Sequence, residues 1–321
     1  MKQVIARPFL LSTVFIAIFA IIGGIFLSRS LFAHKSFAKT VHPTSLSSCG
    51  KTVSCKTLPI SATNIKKEAT ATPTPSATPT LSEQNVQNQT TNSGFCLNVP
   101  VLLYHHIQPQ AIAVQNGQTS LTVDNNIFDS QMAYLATNGY HTISAEALVN
   151  AVISHTQLPP KTVVVTADDG YLDIFTYAYP TIQKYHIILN VMVPTGLVGV
   201  TSGTNTYYTW DELKQMVDSG MVFAYNHTWS HYPLAQGPVS KDIYEITTAQ
   251  TQLQQHLGKA DPILVYPYGS GQGIAWVENL VKQQGYVAAF STLYGRYQCD
   301  SNLMALPRIH IGNAPLPQYG I

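Results

Sequence analysis

The sequence predicts an α/β fold: a distorted (β/α) barrel of seven to eight parallel strands, preceded by an N-terminal transmembrane helix and a disordered linker. Three observations carry this. Short apolar runs alternate with helix-periodic segments from about residue 99 to residue 311, the pattern of parallel strands wrapped by helices. The residues able to do chemistry cluster where those runs end, which is where barrels of this kind build their sites. Ahead of them lie an apolar stretch and then a segment rich in Ser, Thr, Pro, Asn and Gln.

Residues 1–39 read as a membrane anchor or signal segment. Phe9 to Leu27 is almost unbroken apolar sequence, with Lys2 and Arg7 before it and Arg29, Lys35 and Lys39 after it. About 20 apolar residues span a bilayer as a helix. The run exceeds the roughly 7–15 residues of a cleavable signal core, so a retained anchor is favoured over a secreted, processed form. Residues 40–94 contain the run ATATPTPSATPTL from Ala69. Such a segment buries too little apolar surface to offset its ordering entropy, and its prolines stiffen it into a spacer. Residues 95–321 are long enough for one sizeable core. This part carries 8 basic and 14 acidic residues, a net −6, which argues against a nucleic-acid partner. The expected location is a single-pass membrane protein with its globular part outside the cytoplasm. Four cysteines suit that compartment, and the pairs Cys49–Cys55 and Cys96–Cys299 are expected.

Within the globular part the elements follow in order. Val99–Tyr104 reads as a strand, Ile127–Asn138 as a helix with Phe128, Met132 and Leu135 on one face, and Tyr140–Ile143 as a short strand. A helix from Ala145 to Ile153 precedes the strand Thr162–Thr166, and Tyr171–Lys184 reads as one helix. After the strand Ile187–Val193, Thr209 and Glu212 form a capping box that opens a helix ending at Gly220. Met221–Tyr225, Ile263–Tyr266, Tyr286–Phe290 and Met304–Ile311 complete the strands, with helices over Lys241–Leu257 and Ile274–Gln284.

Two motifs stand out. Asp168-Asp169-Gly170 ends a strand, and His227-Thr228-Trp229-Ser230-His231 follows another. One carboxylate and two imidazoles make a three-ligand, zinc-type site with an open position, and the spare carboxylate can act as base toward water there. The spacing of four puts both histidines on one side of a helical turn. Tyr266-Pro267-Tyr268-Gly269 can hold a backbone N–H toward a developing oxyanion. Tyr104-His105-His106 ends the first strand, and strand alternation lets at most one of its histidines enter the barrel as general acid, with His310 as a rival. His141, His155, His186 and His256 read as structural residues without partners, Trp210 and Trp276 as helix packing residues, and Trp229 as sugar-lining or packing.

Together these residues resemble the polysaccharide deacetylase family, the NodB-homology domain of carbohydrate esterases. The opening Val101–His106 and the closing Leu306-Pro307-Arg308-Ile309 resemble its poly-N-acetylglucosamine deacetylase branch. The resemblance covers about Val99 to His310. It implies a divalent metal, most often Zn2+, bound by Asp169, His227 and His231. It implies Asp168 as general base, His105 as general acid, and the Tyr268 backbone N–H at the oxyanion. The implied reaction removes N-acetyl groups from an N-acetylhexosamine polymer and releases acetate. Alternatives are an O-acetyl esterase on an acetylated glycan and an inactive carbohydrate-binding domain on a stalk. The family's usual Phe is Ala167 here, and the Arg that often precedes its Pro-Tyr motif is Val265, which leaves Arg308 as the candidate to orient Asp168.

Overall fold

A computed structural model of the chain describes residues 94–321. The anchor, all but the last residue of the linker, and the Cys49–Cys55 pair lie outside the described residues. Among the described residues no helix is long and apolar enough to cross a membrane.

Seven strands close into a barrel: β1 (Val101–Tyr104), β2 (Thr162–Ala167), β3 (Leu189–Val193), β4 (Val222–Asn226), β5 (Ile263–Val265), β6 (Ala288–Tyr294) and β7 (Leu306–His310). Each pairs in parallel with the next, and β7 pairs with β1, so spatial order equals chain order. The eighth candidate strand, shortened to His141–Thr142, adds to β2 outside the closed ring. Seven helices connect the strands: α1 (Gln110–Asn116), α2 (Asn125–Thr137), α3 (Ala145–Ile153), α4 (Tyr179–Tyr185), α5 (Trp210–Asp218), α6 (Val239–Leu257) and α7 (Ala275–Gln283).

The barrel interior identifies itself by composition. Val101, Val164, Met192, Tyr225, Val265, Phe290 and Leu306, one from each strand, belong to a single buried cluster. Residues of the opposite parity, such as Leu102, Val163, Val165, Val191 and Ile309, pack instead in the cluster that holds residues of α2, α4 and α5. Strand alternation therefore dictates which later residues face the lumen. Counting by twos, Val101 leads to His105, Val164 to Asp168, Tyr225 to His227, and Leu306 to Arg308 and His310. His105, Asp168 and His227 directly follow their strands, His310 ends β7, and Arg308 sits two residues before it.

Several local features bear on the sequence reading, some as corrections and some as expected. The single helix expected over Tyr171–Lys184 is split into a π-helical turn over Ile174–Ala178 followed by α4. Pro180 has no N–H to give the preceding turn, and a widened turn absorbs the gap. The capping box forms as the sequence predicts, with the Glu212 N–H donating to Thr209 Oγ1 at 3.2 Å and the Thr209 N–H to Glu212 Oε2 at 2.6 Å. At the other end of the barrel, Cys96–Asn98 pairs antiparallel with Tyr297–Cys299, and a Cys96–Cys299 disulfide ties the two. Two histidines read as partnerless have partners. His155 Nε2 lies 2.9 Å from Asp300, and His256 stacks on Trp210 at 4.0 Å. Trp276, expected to pack, is instead exposed on α7.

Candidate metal centre and active site

Asp168 arrives by strand parity, and the next residue by a turn. Asp169 has φ 75°, in the left-handed region, and Gly170 has φ 76°. Two consecutive left-handed residues swing the second carboxylate back toward the lumen instead of outward. Glycine suits this position: an L side chain is strained at this φ, and a Cβ would sit 3.3 Å from Pro194 Cδ and 3.3 Å from the Tyr208 hydroxyl.

His227 also comes by parity, but His231 does not come by a helical turn. The segment after β4 is an irregular loop with left-handed φ at Thr228 (64°) and His231 (57°), which corrects the helical expectation. Buried polar groups clamp it. Asn226 Oδ1 accepts from the Thr228 N–H at 2.8 Å, and Thr228 Oγ1 from the Tyr232 N–H at 2.9 Å. The buried Glu245 carboxylate of α6 accepts from both the N–H and the hydroxyl of Ser230, each at 2.7 Å. The Gly196 N–H donates to the Trp229 carbonyl at 2.6 Å, and a Cβ at Gly196 would strike the Trp229 ring.

The result is a convergence of three ligand atoms. Asp169 Oδ1 lies 3.3 Å from His227 Nε2 and 3.0 Å from His231 Nε2. Among the described residues, these three form a group whose ligand atoms all lie within 4.8 Å of one another. The donor set suits a cation. His227 Nδ1 faces the Val265 carbonyl at 2.9 Å and must carry its proton there, so its Nε2 offers a lone pair. Asp169 Oδ1 is buried and makes no hydrogen bond. A single proton could satisfy one of these contacts; a cation between them satisfies all three. Burial opposes the Asp169 charge, yet the two imidazoles outweigh it and hold its carboxyl well below the ordinary range.

Asp168, 2 % exposed, is held by Arg308, which is wholly buried in the lumen. The pair is bidentate, with Nη1 to Oδ1 at 2.7 Å and Nη2 to Oδ2 at 2.8 Å. Arg308 Nε donates to the Ser291 carbonyl at 2.8 Å, which fixes the guanidinium plane. Burial alone would raise the Asp168 pKa; the guanidinium more than reverses that, so the carboxylate stays charged.

The two histidines after β1 part company as alternation requires. His105 faces the site end, its ring 6.4 Å from that of His310 across the β1–β7 seam. Burial lowers its pKa, and the charges of Asp168 and Asp169 partly restore it. His106 turns away, is buried, hydrogen-bonds Asp173 and stacks 3.6 Å from Tyr171. His310 itself is exposed.

Tyr268 takes a left-handed φ of 57°, and its side chain is 71 % exposed at the mouth. Its hydroxyl lies 3.0 Å from His231 Nδ1, a contact the sequence reading missed in favour of the backbone N–H. The reading also missed Tyr171. Burial and the facing Asp169 carboxylate keep its phenol protonated, far above the usual range. Its place directly after Asp-Asp-Gly was the available signal.

A parallel barrel with an aspartate and two histidines converging at its C-terminal mouth, beside an arginine-clamped carboxylate, holds the groups that a water-activating hydrolase needs. Comparison with known proteins narrows the class. Residues 155–289 match the family described as Polysaccharide deacetylase. The poly-beta-1,6-N-acetyl-D-glucosamine N-deacetylase of Escherichia coli (strain K12) is 26% identical over 251 residues, 66% of this chain and 36% of that enzyme. The enzyme of the same name from Staphylococcus epidermidis is 23% identical over 241 residues, 69% of this chain and 80% of its own length. The chain thus spans only about a third of the first of these relatives. Among solved structures, the Streptococcus pyogenes deacetylase PplD in complex with acetate superposes with TM-score 0.62 at 25% identity, over 68% of this chain and 96% of that one. IcaB from Ammonifex degensii shares the fold, with TM-score 0.58 at 24% identity over 69% of this chain and 95% of its own. Over residues 155–289 the chain is thus similar to polysaccharide deacetylases, and its barrel is similar to that of a deacetylase of known structure.

Proposed function

We propose that this protein is a metal-dependent N-deacetylase of an N-acetylhexosamine polymer, tethered to a membrane with its catalytic domain outside the cytoplasm. The observation that carries the reading is the meeting of Asp169 Oδ1 with two imidazole Nε2 atoms beside the clamped Asp168. Asp169, His227 and His231 would hold a divalent cation, and the two-nitrogen, one-oxygen set favours zinc. When bound, such a cation lowers the pKa of water and polarises a carbonyl.

Asp168 is the general base. It takes a proton from the attacking water as the new carbon–oxygen bond forms at the acetamide carbonyl. Arg308 keeps its two oxygens fixed and unprotonated. The Tyr268 N–H is assigned to the resulting tetrahedral oxyanion. His105 gives a proton to the nitrogen as the carbon–nitrogen bond breaks, and acetate and a free amino sugar leave. The names of the Escherichia coli and Staphylococcus epidermidis relatives support poly-N-acetylglucosamine as the polymer. The apolar run Phe9–Leu27 supports the tether, and the Cys96–Cys299 disulfide supports an oxidising compartment.

The test is acetate release from β-1,6-linked N-acetylglucosamine oligomers by the full chain, with and without chelator. Asp168→Asn should abolish release while the protein still binds zinc in a metal-retention assay. Full activity in that variant removes Asp168 from the base role. Release that chelation leaves untouched removes the metal.

A further inference from the structure

The two histidines of the candidate metal centre are secured in different ways. His227 follows β4 directly, and its Nδ1 donates to the buried Val265 carbonyl. A ligating imidazole is ordinarily oriented through its second nitrogen in this manner. His231 has a weaker anchor. Its Nδ1 meets the Tyr268 hydroxyl, and that side chain stands exposed at the mouth. Its φ of 57° is also one that an L residue rarely adopts. The direction of the His231 ring is therefore set by the backbone just before it.

That backbone is gripped from α6. Glu245 is wholly buried, and three donors converge on its carboxylate. Oε2 accepts from the Ser230 N–H at 2.7 Å. Oε1 accepts from the Ser230 hydroxyl at 2.7 Å and from Lys241 Nζ at 2.7 Å. A group that only accepts is what this position needs. Glutamine has the same shape, but its NH2 would face a donor. Lys241, one turn earlier on the helix, gives the buried charge its partner. Its ammonium also lies 5.6 Å from the Trp229 ring and 5.4 Å from the Tyr232 ring, on either side of Ser230 and His231. A second buried acid of the same helix, Asp242, accepts from the Ala235 N–H at 3.3 Å. The first turns of α6 thus hold the loop at two points, and the tighter of the two is the residue before His231.

We propose that Glu245 is a positioning residue for the cation site: through Ser230 it fixes the backbone from which His231 projects, and so sets the affinity for metal. The inference rests on the metal-site reading above. Glu245 is not among the proposed ligands and takes no part in making or breaking bonds. Its effect is preorganisation. Without the grip, His231 must be ordered at the moment a cation binds, and that ordering weakens binding. Losing a partner that orients a metal ligand typically lowers affinity by roughly 10–100-fold.

The test is the zinc dissociation constant of the full chain, measured by competition with a chromophoric chelator, alongside urea unfolding of the metal-free protein. Glu245→Gln should weaken zinc binding about tenfold or more. Ser230→Ala removes the hydroxyl bond and keeps the N–H, and should weaken binding less, about fivefold. Leu253→Ala lies further along α6, in the core cluster shared with α2, α4 and α5. It should lower stability and leave the zinc constant at the wild-type value, which a merely structural role for Glu245 would not distinguish from Glu245→Gln. If Glu245→Gln binds zinc as wild type does, or Leu253→Ala weakens binding as much, the proposal is refuted. Should Glu245→Gln fail to fold, Ser230→Ala decides alone, and an unchanged constant refutes it. A wild-type chain that takes up no zinc overturns the metal reading and this inference together. A wild-type chain that binds zinc, matched by both loop-grip variants, overturns this inference only.

Discussion

Replacing Arg308 by methionine removes one partner of a fully buried ion pair and leaves the other in place. The guanidinium makes four hydrogen bonds: two to Asp168, one to the Ser291 carbonyl, and a longer one of 3.3 Å to Thr166 Oγ1. With methionine there, Asp168 is a buried carboxylate without a counter-charge, and breaking such a pair costs about 3–5 kcal/mol. The alternative open to the protein is to protonate Asp168, at about 1.36 kcal/mol per pKa unit. Its carboxyl would then rise above the ordinary range and lose its capacity as a base near neutral pH. The assays are urea unfolding and a pH–rate profile of acetate release. Arg308→Met should be less stable by the amount above, and its activity should recover only as pH rises. Arg308→Met with Asp168→Asn should regain most of the stability, because neither charge remains. The sign of the pH effect follows from the depressed folded-state pKa of Asp168. Its stabilisation is present above the unfolded carboxylate value of about 3.9 and is lost as pH falls through the lower folded value. The stability gap between wild type and the double variant should therefore change at acid pH. An Arg308→Met protein with wild-type stability and an unshifted acid limb refutes the argument.

Three further outcomes are expected. Zinc should raise the melting temperature of the wild-type chain, by an amount equivalent to about 2.7 kcal/mol at a free concentration of 100 Kd; His227→Ala should abolish the rise, and an equal rise in both proteins counts against the proposed ligands. Cys96→Ser with Cys299→Ser opens a link across 203 residues; chain entropy sets its loss at roughly 5 kcal/mol at most, and kinetics at low temperature should be unchanged because the bond lies at the opposite end of the barrel from the site. Gly170→Ala should cost about 1–2 kcal/mol from its positive φ, plus the crowding against Pro194 and Tyr208; a neutral effect in thermal unfolding would mean that this turn can relax.

The alternation of Val164, Thr166 and Asp168, or of Tyr225 and His227, could be read from the chain because strand periodicity is local. The same count separates His105 from His106 once a lumen residue is known, and that knowledge required the closed sheet. Arg308 was legible only as a candidate. Its contact with Asp168 crosses β1, and depends on β7 pairing with β1 and β1 with β2. The helical turn expected between the two histidines failed because spacing alone favours a helix, whereas Asn226, Thr228 and Glu245 hold the loop in left-handed turns.

By itself, then, the sequence determined the succession of strands and helices, the motifs at the strand ends, and the kinds of ligand atom available, all of which depend on near neighbours. Only the tertiary structure decided that a ring of seven strands closes, which histidine turns inward, and that Asp169 and His231 reach the centre through left-handed backbone turns. Those outcomes depend on pairing partners far apart in the chain and on backbone conformations that side-chain periodicity does not encode.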